Sequence, residues 1–321
     1  MTRIIFTLAF HTLLFSIEAI FVNVNTDNWQ QLFFIITMIV LIMVMSTISF
    51  GAAGQFGLFS KLPPMYINAY LVGEGFAGMF NAVMRLISIV ISPSPTGSAM
   101  IYFCTGSALM FISTILTVIA GKTGFFRYYN NSSSEDKKEK IRDRKELFGV
   151  VKHLRHMLLL NALFILAPLA SIYNLVVSEY ESDSNNVWAN QYFVTVCTFL
   201  IPSIANTVGR LIFSKFNWDC PVPILYGLVI AYEIIPSIFV FLSNAQPRHH
   251  LPVLINHDWE YSMGMAIYFF FQGFIASMML MKTIRMLPEK RVELGMLISM
   301  FFSSIASTAF SPLGVLAVKM I

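Results

Sequence analysis

Most side chains in this sequence that can do chemistry sit inside apolar stretches. Arg210 follows Asn206 by four residues, so a helix through them carries both on one face. A guanidinium offers five N–H donors in a fixed fork and no acceptor. The pair is the best candidate for a polar recognition site. The competing reading is an arginine near the inner end of its span that reaches back to water, with Lys215 and Asp219 close by. Glu74 stands between Gly73 and Gly75 in another apolar run. An ionised carboxylate at that depth is costly unless paired or hydrated. A buried structural ion pair is the favoured reading of Glu74; a protonated acid or a carboxylate lining a cavity are the others. Arg85 is eleven positions further along, about 16 Å on a helix axis, too far to be its direct partner. Gln55 and Gln272 each suit either a pocket or an interhelical hydrogen bond, and Ser277 suits packing. His11 and Glu18 share a helix face and are expected to make a mutual or interhelical contact. Cys104, Cys197 and Cys220 have neither metal nor redox spacing and read as packing residues. No triad or metal cluster emerges, so no enzyme chemistry and no cofactor are expected.

The elements that position these residues follow from composition. The chain has 321 residues, 56% of them hydrophobic and only 12% charged, with a mean hydropathy of +0.69. Soluble domains carry about 25% charged residues. The fold class is therefore an all-α polytopic membrane protein, because backbone polar groups in lipid must be satisfied within helices. Nine spans are expected, at 3–24, 31–60, 65–92, 98–120, 154–176, 190–214, 222–243, 259–282 and 293–318. The first has the length of a span and no small-residue cleavage site after it, so it reads as a helix that is retained. With the N-terminus inside, the inner loops hold Lys61, the cluster from Lys122 to Arg155, Lys215, Lys282, Arg285, Lys290 and Arg291. The outer side keeps Arg248 and Lys319. That asymmetry follows the positive-inside rule and puts the C-terminus outside. The charged, aromatic-poor connection 121–153 separates an N-terminal bundle, 1–120, from a C-terminal bundle, 154–321. Two bundles joined by a long inner loop suggest a two-lobed transporter.

One stretch departs from the Leu-, Ile-, Met- and Phe-rich pattern. Residues 51–81 place glycines at 51, 54, 57, 73, 75 and 78 around Pro63-Pro64. Small residues let helix backbones approach closely, so this stretch is expected to face other helices.

The same stretch carries a family resemblance. Phe50-Gly51-Ala52, Phe56-Gly57-Leu58, Leu62-Pro63, Tyr66 and Gly73-Glu74-Gly75-Phe76-Ala77-Gly78 resemble the fourth and fifth helices of the equilibrative nucleoside transporters. Phe126-Arg127-Tyr128-Tyr129, Gly209-Arg210, Pro247-Arg248 with His257-Asp258, Gln272-Gly273-Phe274 with Ser277, and Glu293, Gly295 and Phe301-Phe302 continue the resemblance in order. It implies a major-facilitator-like helical bundle with a cytoplasmic N-terminus. The nine spans correspond to the family's third to eleventh helices. The first two helices are thus expected to be missing, and the 321-residue chain alone is expected to transport poorly.

By this resemblance Arg210 reaches ribose hydroxyls. Asn206 stands where the family typically has an aspartate; it keeps hydrogen bonding and loses the charge, so Arg210 is either left uncompensated or finds Glu74 or Glu233. Ser203 stands where close relatives have asparagine, and Glu74 where mammalian relatives often have glutamine. The family's base-contacting glutamine aligns with Ala52, and Gln55 lies about one turn later on a similar face. The candidate substrate-binding residues are thus Arg210, Asn206, Gln55, Ala52, Ser203, Glu74 and Gln272. The implied activity is facilitative transport of nucleosides, or nucleobases, by alternating access. The alternatives are transport of another small solute such as an organic amine, or a truncated membrane protein that does not transport. The expected partners are a small-molecule nucleoside and the lipid bilayer, with no nucleic acid. The plasma membrane is the expected location, with an endolysosomal membrane as the alternative.

Overall fold

The computed structural model describes residues 2–59, 62–135, 144–165, 172–216, 218–248, 250–288 and 291–321. Ten α-helices follow one another among them: α1 Thr2–Phe21, α2 Gln30–Phe59, α3 Pro64–Ile91, α4 Pro95–Lys122, α5 Gly124–Glu135, α6 Arg144–Phe164, α7 Ile201–Phe216, α8 Val222–Leu242, α9 Asp258–Arg285 and α10 Val292–Met320. Two π-helical segments, Trp188–Tyr192 and Val194–Leu200, lead into α7, so that Trp188–Phe216 forms one span. Nine helical segments among the described residues are long and apolar enough to cross a membrane. The chain is an integral, multi-pass, all-α membrane protein.

Local sequence explains several helix limits. Helices α3, α4 and α8 open with a proline in the first turn, where the missing N–H costs nothing. Ser94 caps α4 by accepting from Gly97 N at 3.2 Å. Helix α9 begins with Asp258 and Glu260 and ends with Lys282 and Arg285, charges that complement the helix dipole at both ends.

The helix of the fifth span starts earlier than expected. The span is expected at 154–176; α6 starts at Arg144 and runs to Phe164, residues 166–171 lie outside the described residues, and Tyr173–Leu175 forms a short 3-10 turn. Hydropathy marks depth in the membrane, not helix extent, and Lys, Glu and Arg are good helix formers. The basic stretch therefore extends the helix toward its N-terminus. Lys61, residues 136–143 of the expected connection, His249 and Lys290 lie outside the described residues.

By their contacts the described residues fall into two units. One comprises Met1–Pro63 and Ile87–Arg142; the other comprises Pro64–Leu86 and Asp143–Ile321. In the first unit α1 packs on α2 and α4. His11 accepts or donates at 3.2 Å to Thr47 Oγ1 of α2, the interhelical contact expected of it. Ser16 Oγ lies 2.8 Å from Ser107 Oγ of α4. Gly51 and Gly54 of α2 face Thr7 and Ile4 of α1, whereas Gly73 and Gly78 have no described neighbour within 4 Å. The glycine-rich stretch is thus only partly an interface. A cavity of about 700 Å³ lies along α1 and α4, lined by residues that include Ser16, Asn23, Ser107 and the exposed Cys104.

The second unit is organised on α7 and α9. Its apolar core joins Phe193, Cys197, Val240, Tyr261, Met265 and Ala317. Tyr232 of α8 stacks on Tyr268 of α9 with centroids 4.9 Å apart. Tyr268 is therefore core, while Phe271 on the same helix is exposed.

Candidate functional site

Helices α7 and α9 approach backbone to backbone. A Cβ on Gly209 would overlap the carbonyl oxygen of Phe270, and one on Gly273 would overlap that of Asn206. Below this contact Phe213 meets Phe274 edge to face at 5.7 Å. The approach brings polar side chains of the two helices together: Asn206 Nδ2 donates to Gln272 Oε1 at 3.1 Å. On α7, Arg210 Nε donates to Asn206 Oδ1 at 2.9 Å. A guanidinium can only donate, so Asn206 turns its oxygen to Arg210 and its nitrogen to Gln272. One asparagine thereby links two groups that a carboxylate could not link in the same way.

Helix α3 closes the other side. Arg210 Nη1 donates to Glu74 Oε2 at 2.8 Å and to the Leu71 carbonyl at 3.2 Å. Leu71, Glu74 and Gly75 share one face of α3. Gly75 makes the approach possible, since a Cβ there would lie 3.1 Å from Thr207 Cα and 3.2 Å from Arg210 Cδ. The Arg210 side chain is 13% exposed and that of Glu74 54%. Arg210 is thus enclosed, and its carboxylate partner opens outward. Three of the five guanidinium N–H groups have described partners, and the two on Nη2 are uncommitted among the described residues.

The structure brings together four of the residues singled out from the sequence: Arg210, Asn206, Gln272 and Glu74. Ser203 lies one turn before Asn206, and its carbonyl accepts from Thr207 Oγ1 at 2.7 Å. Ala52 and Gln55 lie on α2, in the first unit. Glu74 makes the ion pair favoured for it, but the pair is not buried on its side, where the side chain is 54% exposed. Arg210 turns to α3 and not to the C-terminal end of α7, beyond which Asp219 pairs with Lys282 at 2.9 Å and Arg285 at 3.4 Å. Glu233 is not a partner of Arg210; its Oε1 is buried without a hydrogen bond among the described residues.

Sequence reasoning passed over a second polar centre, at the opposite end of the α7–α9 pair. Asp258 Oδ2 accepts from Ser178 Oγ at 2.8 Å and from Trp188 Nε1 at 2.7 Å, and its Oδ1 accepts from Glu179 N at 2.9 Å. This joins the start of α9 to the start of the Trp188 span. Separately, Arg248 donates to the carbonyls of Phe241, Ser243, Leu251 and Pro252, holding the loop after α8. The sequence signal was the pairing of Arg248 and Asp258 with the ninth-loop pattern; nothing in it named Ser178 or Trp188 as partners.

A family model described as Nucleoside transporter matches residues 36–162 and 145–306. The chain belongs to the nucleoside transporter family. It is 28% identical to Equilibrative nucleoside transporter 1 of Homo sapiens and 25% identical to the Rattus norvegicus protein of that name, in each case over 86% of this chain and 66% of the relative. It is 20% identical to Equilibrative nucleoside transporter 3 of Rattus norvegicus, over 94% of this chain and 69% of the relative. The chain thus spans about two thirds of the length of these members of the nucleoside transporter family. Both segments of the family match include parts of the site: α3 with Glu74 lies in the first, and α7 and α9 with Arg210, Asn206 and Gln272 lie in the second.

Proposed function

We propose that this protein performs facilitative transport of nucleosides, or nucleobases, by alternating access, without covalent chemistry. The observation that carries this reading is the similarity to equilibrative nucleoside transporters along most of the chain. The chemistry of the second unit supports it. Arg210 Nη2 offers two N–H donors, which suit the hydroxyls of a ribose. Asn206 and Gln272 hold the guanidinium and complete the polar edge in an otherwise apolar surround. Downhill release on either side of the membrane requires only modest affinity. Ser203, Ala52 and Gln55 are proposed as further pocket residues on resemblance. The proposed location is the plasma membrane.

The test is uptake of radiolabelled uridine and adenosine by cells lacking endogenous nucleoside transport and expressing the full-length protein. Saturable uptake that needs no sodium and runs only down the gradient is expected, with acceleration when unlabelled nucleoside is loaded on the far side. Absence of saturable uptake of both, with the protein present at the cell surface, overturns the proposal. Surface labelling of the same cells separates the plasma membrane from an endolysosomal location.

A further inference from the structure

We infer that Glu74 is the positioning residue for Arg210, supplying from α3 the counter-charge that α7 itself lacks. The inference rests on the proposed role of Arg210 in binding. A guanidinium held at membrane depth needs a compensating negative charge, or it turns toward water at the helix end. The residue one turn earlier on α7, Asn206, is a neutral acceptor at 2.9 Å from Arg210 Nε. Among the described residues Glu74 is the one carboxylate in ion-pair contact with Arg210, at 2.8 Å. It acts together with the Leu71 carbonyl, one turn earlier on the same face of α3, and both engage the same nitrogen, Nη1. Two acceptors on Nη1 and one on Nε fix the plane of the guanidinium, and its remaining edge, Nη2, is left for a ligand.

Arg210 is therefore at once the ligand donor and the link between two helices. Gly75 lies directly against Thr207 and Arg210, so the α3 backbone is seated where the ion pair forms. A simple structural tie between α3 and α7 would make the same contact. The two roles differ in what replaces Glu74. A tether needs the charge on α3, whereas positioning of Arg210 needs a carboxylate beside the guanidinium on any element.

The experiment compares the wild-type protein, Glu74→Gln, and the double variant Glu74→Gln/Asn206→Asp, with surface abundance measured for each. Glu74→Gln keeps a hydrogen-bonding side chain and removes the charge. It is expected to raise the uridine KM about tenfold with little change in maximal rate, the loss of one charge-assisted orientation. The double variant moves the carboxylate to the position next to Nε and is expected to return KM to within about threefold of wild type. An unchanged KM in Glu74→Gln overturns the inference, and so does a raised KM that the double variant fails to restore, which assigns Glu74 to tethering α3. Wild-type protein without saturable uptake overturns the transport reading instead. The melting temperature of the purified protein then carries the same comparison, with a decrease in Glu74→Gln expected to be recovered in the double variant.

Discussion

Gly209 and Gly273 are reciprocal: each lies against the carbonyl oxygen of the residue three positions before the other, Phe270 and Asn206 respectively. This contact sets the spacing of α7 and α9 and so the distance over which Asn206 reaches Gln272. Any side chain at either glycine must push a backbone carbonyl, which cannot rotate away as a flexible side chain can. Gly209→Leu and Gly273→Leu are each expected to destabilise the protein by about 1–3 kcal/mol or more, with uptake lost in parallel. Gly227→Ala, with no described neighbour within 4 Å, is the control and is expected to be neutral. Thermal unfolding in detergent measures all three, and a wild-type melting point for Gly209→Leu would refute the packing account.

Arg210 serves three acceptors in three directions, a geometry that a point charge cannot reproduce. Arg210→Ala is expected to abolish nucleoside uptake, and Arg210→Lys to lower uptake by about tenfold or more, with surface expression retained. Uptake by Arg210→Ala equal to wild type would remove Arg210 from the site. Gln55→Ala is a separate measurement, and unchanged uptake there removes Gln55 from the proposed pocket.

Asp258 accepts three donors from two other segments. Asp258→Ala strands a hydroxyl, an indole N–H and a backbone N–H, and is expected to cost about 1–3 kcal/mol. The loop 176–187 should also become open to protease. Limited proteolysis with mass spectrometry reads that directly. Protection equal to wild type would show that Asp258 does not anchor the loop.

The neighbouring pair His257 and Glu179, with Nδ1 and Oε2 at 2.8 Å, is exposed and pH-dependent. The hydrogen bond to Glu179 raises the His257 pKa above its ordinary 6.5. The Glu179 carboxyl is held below its ordinary 4.5, first by its hydrogen bond with Tyr180 and then by that with His257. The histidine contribution is complete below its unfolded value and disappears as pH rises through the raised one. The glutamate contribution is complete above its unfolded value and disappears as pH falls through the lowered one. The contact is therefore strongest in mildly acidic solution. Glu179→Gln should return the His257 midpoint toward 6.5, as followed by NMR of labelled histidine. An unmoved midpoint would show that the pair does not form in solution.

Much of the fold was legible in the sequence because lipid leaves the backbone few options. Apolar length gave the nine spans, and the order of short motifs along the chain gave the family. The helix of the fifth span begins before its apolar stretch because its first turns are basic: hydropathy registers burial in lipid, while the helix also takes in the charged residues within Arg144–Lys152. The seven candidate site residues were drawn from polar character and resemblance, both properties of single positions. Sequence spacing linked Asn206 to Arg210, because a helix places residues four apart on one face.

Contacts between helices depend on which backbones meet, and no local spacing contains that. That Glu74 is the partner of Arg210, that Asn206 divides its two ends between Arg210 and Gln272, and that residues Pro64–Leu86 of α3 belong with the second unit were decided by tertiary packing. So too was the division among the glycines, of which Gly75, Gly209 and Gly273 carry close backbone approach while Gly73 and Gly78 do not. A glycine in a sequence states only that a neighbour can come close. The third dimension supplies the neighbour.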